Sequence, residues 1–421
     1  MNIEELYNIR KDNPIWNTSY PLSPDQWAKY RIDQTLPFNQ EKELSFYIHI
    51  PFCRQLCSFC EYTRMICPGE KQQYQYLRAL DNDVSNFVSS HPDIILRGFD
   101  IGGGTPTSLS EDNFFYLLQI FMEALDWIDV SNDFEPSIEG TFGTLSDKKL
   151  ELIAASGIHR LSLGIQSTDK QVMYHHHRHH NDLDEMQRWI GTAMSKGIEK
   201  INLDLMYGLK GQTSETIDAD LAAISQLHPQ QVTLYELRTN MITSKNAPSK
   251  SVLFEQYNQY FNGLIALGYK ARFGENTFSM DERDRGLSSY LRSRMLEGVS
   301  YKGFGLSAQS MSKAGICYNV GKGDMNLREL IDIPTYEGGY TYLLPKEEIA
   351  AKYIAISAYN GSFSLKHLSE ILGKDARDVY KDIIDFCLLN QLLQLSNDEL
   401  TVTRKGFEHV GAVFSLFYPK Q

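Results

Sequence analysis

Cys53, Cys57 and Cys60 lie within one eight-residue stretch, Cys53-Arg-Gln-Leu-Cys57-Ser-Phe-Cys60. Thiolates so spaced sit on one short loop and are ligands for a soft metal. A structural zinc site takes four ligands, commonly as two separated pairs of cysteines, and no second pair follows here. A cubane iron–sulfur cluster held by three thiolates keeps one iron open for a substrate or cofactor, and the spacing suits that chemistry better. Cys67, Cys317 and Cys387 fall outside this register. A disulfide framework would spread its cysteines along a small secreted chain. The N-terminus, Met1-Asn2-Ile3-Glu4-Glu5, has no apolar signal segment, and the expectation is a reduced, cytoplasmic protein.

Other residues have the types that hold a charged small molecule. Gly102-Gly103-Gly104-Thr105-Pro106-Thr107 follows a strand-like run. Successive glycines let a backbone approach a ligand and offer N–H donors. Glu139, Gln166, Arg178 and Asp204 supply carboxylate, amide and guanidinium groups that suit hydroxyls and a carboxylate. His175-His176-His177-Arg178-His179-His180 places five histidines about one arginine. Adjacent side chains diverge, so at most two or three could share an ion, and the run reads as a solvated loop or helix turn. One or two of its imidazoles can move protons near neutrality, with His177 the candidate.

The elements that must position these residues alternate. Strands are predicted at Leu44–Ile50, Ile95–Ile101, Pro136–Phe142, Arg160–Gln166, Lys200–Met206 and Gln231–Leu237. Helices are predicted between and after them at Glu70–Ser90, Glu111–Ile128, Asp147–Ser156, Leu183–Lys196, Ser214–Leu227 and Val252–Leu267. Repeated strand–helix units make an α/β fold with a parallel sheet, here a partial six-unit (β/α) barrel, whose ligands gather at the C-terminal strand ends. The domain reading is an N-terminal arm over 1–43 and the barrel over 44–271. An irregular, glycine-rich connecting and substrate-covering segment follows over 272–345. A smaller helical, winged-helix-like domain over 346–421 carries helices at Lys346–Ala358, Leu365–Leu372 and Ala376–Asn390, a strand pair around Leu392–Leu395 and Leu400–Thr403, and a last helix near Gly406–Leu416. Of the 421 residues 42% are apolar and 22% charged, which excludes wholesale disorder. The net charge of −12 argues against nucleic acid as a partner, and no apolar run reaches the ~20 residues that span a membrane.

The motif CxxxCxxC with Phe59 before the last cysteine resembles the signature of the radical S-adenosylmethionine (SAM) superfamily. Tyr47-Ile48-His49-Ile50-Pro51-Phe52-Cys53, the glycine run, Ile138-Glu139, residues 160–166 and residues 201–209 resemble oxygen-independent coproporphyrinogen III oxidases and their relatives. Weaker likeness extends to residues 18–21, 305–310 and 402–406. The resemblance implies a [4Fe-4S] cluster on Cys53, Cys57 and Cys60, and one SAM molecule, or two, held by Tyr47, Gly103, Gly104, Thr105, Glu139, Gln166, Arg178 and Asp204. It also implies cleavage of SAM to a 5′-deoxyadenosyl radical that abstracts hydrogen from a small-molecule or peptide substrate, and an electron donor such as flavodoxin or ferredoxin. Tyr47 joins His177 as a catalytic candidate.

Two departures from those oxidases bear on the reaction. Tyr62 stands where they carry a further cysteine, and residues 290–301 have diverged; the related heme chaperones carry a His-Asn in this region, where Leu287-Ser288-Ser289-Tyr290 has no histidine. The expectation therefore leans to methyl or methylene transfer (C-methylation or cyclopropanation) from a second SAM. Oxidative decarboxylation of coproporphyrinogen III is the alternative. A heme-trafficking protein on the same scaffold is the contrasting class.

Overall fold

The structure, a computed structural model, describes residues 2–12, 20, 24–237, 248–323 and 326–419. Of the weak arm motif at 18–21, only Tyr20 is among them. Six strands carry the alternation: β1 (Glu43–Ile50), β2 (Ile95–Gly103), β3 (Ser137–Gly140), β4 (Arg160–Gln166), β5 (Lys200–Tyr207) and β6 (Gln231–Glu236). All pair in parallel, in sequence order. The crossovers are α2 (Glu70–Ser90), α3 (Glu111–Trp127), α4 (Asp147–Ala155), α6 (Leu183–Ser195) and α7 (Ser214–Leu227), and a short helix, α5 (Lys170–His175), precedes α6. α8 (Lys250–Ala266) follows β6.

The segment 272–345, expected to be irregular, also holds short strands. It contributes β7 (Thr277–Ser279), β8 (Tyr301–Phe304), β9 (Gln309–Ser312), β10 (Gly315–Tyr318) and β11 (Tyr340–Leu343), and with Arg31–Ile32 these extend the sheet to twelve strands. β8 lies parallel beside β1, on the side away from β2. The glycines that suggested irregularity permit close strand approach. A Cβ on Gly303 would sit 2.4 Å from the Gln309 carbonyl, and one on Gly315 would sit 2.0 Å from that of Tyr342.

Side chains of parallel strands alternate between the helix-covered face and the barrel interior. Phe46 and Phe99 pack outward, their rings meeting edge to face at 5.6 Å, and Phe46 also meets Phe304 at 5.3 Å. Fully buried aromatics of this kind cost about 3–5 kcal/mol when cut to alanine. The interior rows are polar: Glu139, Ser162 and Asn202 stand side by side across β3–β5, and Gly164, Asp204 and Thr233 across β4–β6. This parity puts the chemistry inside the barrel.

The C-terminal part has α10 (Lys346–Ser357), α11 (Leu365–Leu372), α12 (Ala376–Val379), α13 (Lys381–Leu389), α14 (Arg404–Phe407) and α15 (Val410–Ser415) around a three-stranded antiparallel sheet. The arm is anchored there. Its ten-residue helix α1 (Ile3–Asp12) sets Tyr7 5.7 Å from the Phe386 ring, and buried Trp27 donates to Glu348 at 3.1 Å. No helix among the described residues is long and apolar enough to cross a membrane.

Candidate active site

A cavity of about 450 Å³ opens at the C-terminal ends of the barrel strands. Its wall includes Cys53, Cys57, Cys60, Gly103, Gly104, Thr105, Glu139, Gln166, Arg178 and Asp204, so most of the residues singled out from sequence meet here.

The cysteine loop leaves β1 and is clipped at both ends. Phe52–Cys53 pairs in parallel with Met65–Ile66, with Cys67 N donating to the Cys53 carbonyl at 2.8 Å. Burial pushes the Cys53 thiol up to about 11 and raises Cys60 as well. Cationic and hydroxyl groups surround the sulfurs: Arg178 Nη1 donates to Cys57 Sγ at 3.5 Å, Arg64 Nη2 to the Cys57 carbonyl at 2.7 Å, and Thr105 Oγ1 to Cys53 Sγ at 3.7 Å. Gly104 leaves space on that side, since a Cβ there would stand 2.9 Å from Cys53 Sγ. Cys67 lies apart, beside Gln73 and the Ser108 carbonyl.

The glycine turn differs from expectation in one respect. Its amides are not free donors: Gly103 N binds Glu139 Oε2 at 3.1 Å, Gly104 N the Ile50 carbonyl at 2.8 Å and Thr105 N the Phe52 carbonyl at 2.8 Å. What the turn supplies is a surface without side chains, with Gly103 at φ +115°. Glu139 faces the cavity from within the barrel, where desolvation and then the Asp204 carboxylate push its carboxyl up. Burial raises Asp204 too, against hydrogen bonds from Asn202 at 2.8 Å and Ser162 at 3.2 Å. Gly164 makes room for two neighbours, because a Cβ there would meet Gln166 Nε2 at 2.6 Å and Arg178 Nη2 at 3.1 Å.

The histidine run disperses. His176 is buried; Lys210 N donates to its Nε2 at 2.9 Å, so its proton is assigned to Nδ1, 3.1 Å from Ser58 Oγ. It thereby fastens the cysteine loop, and burial pushes its imidazole down to about 4. His180 Nε2 lies 2.9 Å from the Thr168 carbonyl, and His179 lines the cavity. His177, the proton-transfer candidate, is exposed at φ +53° and outside the cavity wall. A turn that buries His176 inward turns its neighbour out. Tyr47 also lies off the cavity wall, stacked on Tyr290 at 5.7 Å and 3.4 Å from His49 Nδ1 through its hydroxyl. Among the described residues, no three His, Cys, Asp or Glu side chains gather about a point that a single metal ion could occupy.

The wall holds residues that sequence reading passed over. Ser162 and Met206 share strand parity with Gln166 and Asp204, a signal that was available. Arg64 is a cation in the cysteine loop itself. Tyr359 enters from the C-terminal part, and nothing local announces it.

Residues 47–224 match the radical SAM superfamily, which implies a [4Fe-4S] cluster and SAM as cofactors. The residues present fit both groups. Three thiols share one wall with guanidinium groups able to offset thiolate charge, and a side-chain-free turn adjoins carboxylate, amide and guanidinium groups. The heme chaperone HemW of Haemophilus influenzae is 31% identical over 236 residues, 54% of this chain and 61% of that protein. HemW of Bacillus subtilis is 25% identical over 387 residues, 89% of this chain and 98% of that protein. The oxygen-independent coproporphyrinogen III oxidase of Salmonella typhimurium is 29% identical over 221 residues, 52% of this chain and 48% of that protein. The chain thus spans less than two thirds of the first and third of these. In fold it matches the solved coproporphyrinogen III oxidase HemN of Escherichia coli, with a TM-score of 0.75 at 21% identity over 93% of this chain and 95% of that one. The chain carries a radical SAM domain and is closely similar to the HemW and oxygen-independent coproporphyrinogen III oxidase-like proteins.

Proposed function

We propose that the chain is a radical SAM enzyme whose substrate is a porphyrinogen, oxidatively decarboxylated as by the oxygen-independent coproporphyrinogen III oxidases. The observation that carries this reading is the single cavity in which Cys53, Cys57 and Cys60 face Glu139, Gln166, Arg178 and Asp204. In it, Cys53, Cys57 and Cys60 would ligate the cluster. Gly103, Gly104 and Thr105 would let SAM lie close to them, with Glu139, Gln166, Arg178 and Asp204 on its polar groups. When bound, these cofactors supply the oxidising radical. The protein's part is to orient SAM, to keep Arg178 between the cluster loop and β4, and to exclude water behind buried Cys53 and Cys57. A low-potential donor of the flavodoxin or ferredoxin kind would supply electrons.

The relatives support the porphyrinogen and heme alternatives over methyl or methylene transfer, the lean drawn from Tyr62 and residues 290–301. The start of that segment lies in α9 (Ser289–Met295), locked against the barrel. Heme carriage is the second reading, favoured by a HemW match that spans 98% of the Bacillus protein.

Anaerobic incubation with reductant, SAM and coproporphyrinogen III separates the three. The proposal expects 5′-deoxyadenosine and carbon dioxide without S-adenosylhomocysteine. S-Adenosylhomocysteine with methyl label in the product would restore methyl transfer. A Soret band shifted from that of free hemin, without SAM cleavage, would favour the carrier.

A further inference from the structure

A cation without a carboxylate partner stands beside the site. Arg294 belongs to α9, whose place is fixed by three contacts. Ser288 Oγ accepts from Leu291 N at 3.2 Å, capping the helix, and donates to Asp100 Oδ2 at 2.6 Å. Ser293 Oγ lies 2.7 Å from Ser45 Oγ on β1. Gly98 on β2 admits the helix backbone, since a Cβ there would stand 2.2 Å from Tyr290 N.

The Arg294 guanidinium lies 4.4 Å from the Tyr301 ring centroid and 5.8 Å from that of Tyr290, and Nη1 donates to Tyr290 Oη at 3.2 Å. Nε is shielded from solvent with no hydrogen-bond partner. Among the described residues no carboxylate forms an ion pair with Arg294, whereas Arg97, Arg272, Arg285 and Arg292 each have at least one. Asp100 is within electrostatic reach but forms no ion pair with Arg294; its Oδ2 accepts from Ser288, and its Oδ1 is shielded from solvent with no hydrogen-bond partner.

Two tyrosine faces offset only part of the cost of withdrawing a guanidinium from water. The group that completes such a site is an anion with two oxygens, matched to the planar fork of arginine. The site lies one layer behind the cavity wall, which itself includes neither Arg294 nor Tyr290 nor Tyr301. Tyr62, on the cavity wall, is within electrostatic reach of Arg294, and Tyr47 on β1 stacks on Tyr290. We infer that Arg294 anchors a carboxylate of the substrate, a propionate of the tetrapyrrole, an inference that rests on the porphyrinogen reading above.

The test is fluorescence titration of coproporphyrin III and of its tetramethyl ester against the full-length protein, Arg294→Met and Arg294→Lys. The unmodified protein should prefer the free acid. Arg294→Met should weaken the acid by roughly 10- to 150-fold, the scale of a charge-assisted hydrogen bond, and leave the ester unchanged. Arg294→Lys should recover part of the loss, and SAM affinity of the reconstituted variants should not move. Equal acid affinity in the unmodified protein and Arg294→Met overturns the anchor while leaving the porphyrinogen reading in place. If Arg294→Met does not fold, absence of acid-over-ester preference in the unmodified protein overturns the anchor instead. Failure of the unmodified protein to bind either porphyrin removes the porphyrinogen reading and the anchor with it.

Discussion

Arg178 bridges the two halves of the site: Nη1 donates to Cys57 Sγ at 3.5 Å and Nη2 to the carbonyl of Gly164 on β4. Its removal therefore touches both the cysteine loop and the SAM subsite. Arg178→Ala should lower SAM affinity by roughly 10- to 150-fold, the loss of one charge-assisted hydrogen bond, and also reduce iron retention. Asp204→Ala should lower SAM affinity similarly with iron content intact, because Asp204 is held by Asn202 and Ser162, away from the thiols. Calorimetry with SAM and iron analysis on the same preparations check this. Equal iron retention in the two variants would show that the Cys57 contact carries no weight.

Gly104 tests how tightly the glycine turn meets the cysteine loop. The added methyl of Gly104→Ala would lie 2.8 Å from the Phe52 carbonyl and 2.9 Å from Cys53 Sγ, contacts a backbone atom cannot easily yield. Iron incorporation should fall several-fold with the circular dichroism spectrum retained. Gly143→Ala, on the same wall but with nothing within 4 Å of the new methyl, is the control and should load normally.

The sequence was most legible where pattern and parity agree. Arg160–Gln166 has the predicted bounds, and the other five barrel strands differ only at their ends, because short runs rich in apolar residues, set between amphipathic helices, admit one solution. The short strands at 277–343 were illegible, since three- and four-residue strands take their identity from distant partners, such as Tyr301 beside Ser45. The cysteine, glycine, Gln166 and Asp204 positions were readable from spacing and strand ends. His176 and Arg294 were not, because each is defined by what surrounds it in space.

His176 should prove structural. His176→Ala removes the acceptor for Lys210 N and the partner of Ser58 Oγ, a loss of about 1–3 kcal/mol for buried groups left unpaired. Thermal unfolding should shift down, whereas exposed His177→Ala should leave both melting temperature and SAM cleavage unchanged. Loss of activity in His177→Ala would restore that residue as a proton-transfer candidate.

Asp100 imposes a pH dependence on stability. Burial, opposed by Arg160, pushes its carboxyl up to about 7. The folded chain keeps that proton while the unfolded chain releases it from about pH 4 upward, so stability falls as pH rises from about 4 through about 7. The contribution is on the order of 4 kcal/mol, and Asp100→Asn, which keeps an acceptor for Ser288, should remove it. Denaturant melts at pH 5 and pH 8 measure this. A pH 5-to-8 stability difference equal in the variant and the unmodified protein would contradict the assignment.

The central claim is that Cys53, Cys57 and Cys60 hold a cluster which SAM reaches through this cavity. Electron paramagnetic resonance of the anaerobically reconstituted, reduced protein, recorded with and without SAM, tests it most directly. The account predicts about four irons per chain, a reduced-cluster signal that changes shape on SAM addition, and loss of both in the Cys53/Cys57/Cys60 triple alanine variant. Full iron loading in that variant, or a signal indifferent to SAM in the unmodified protein, would contradict it.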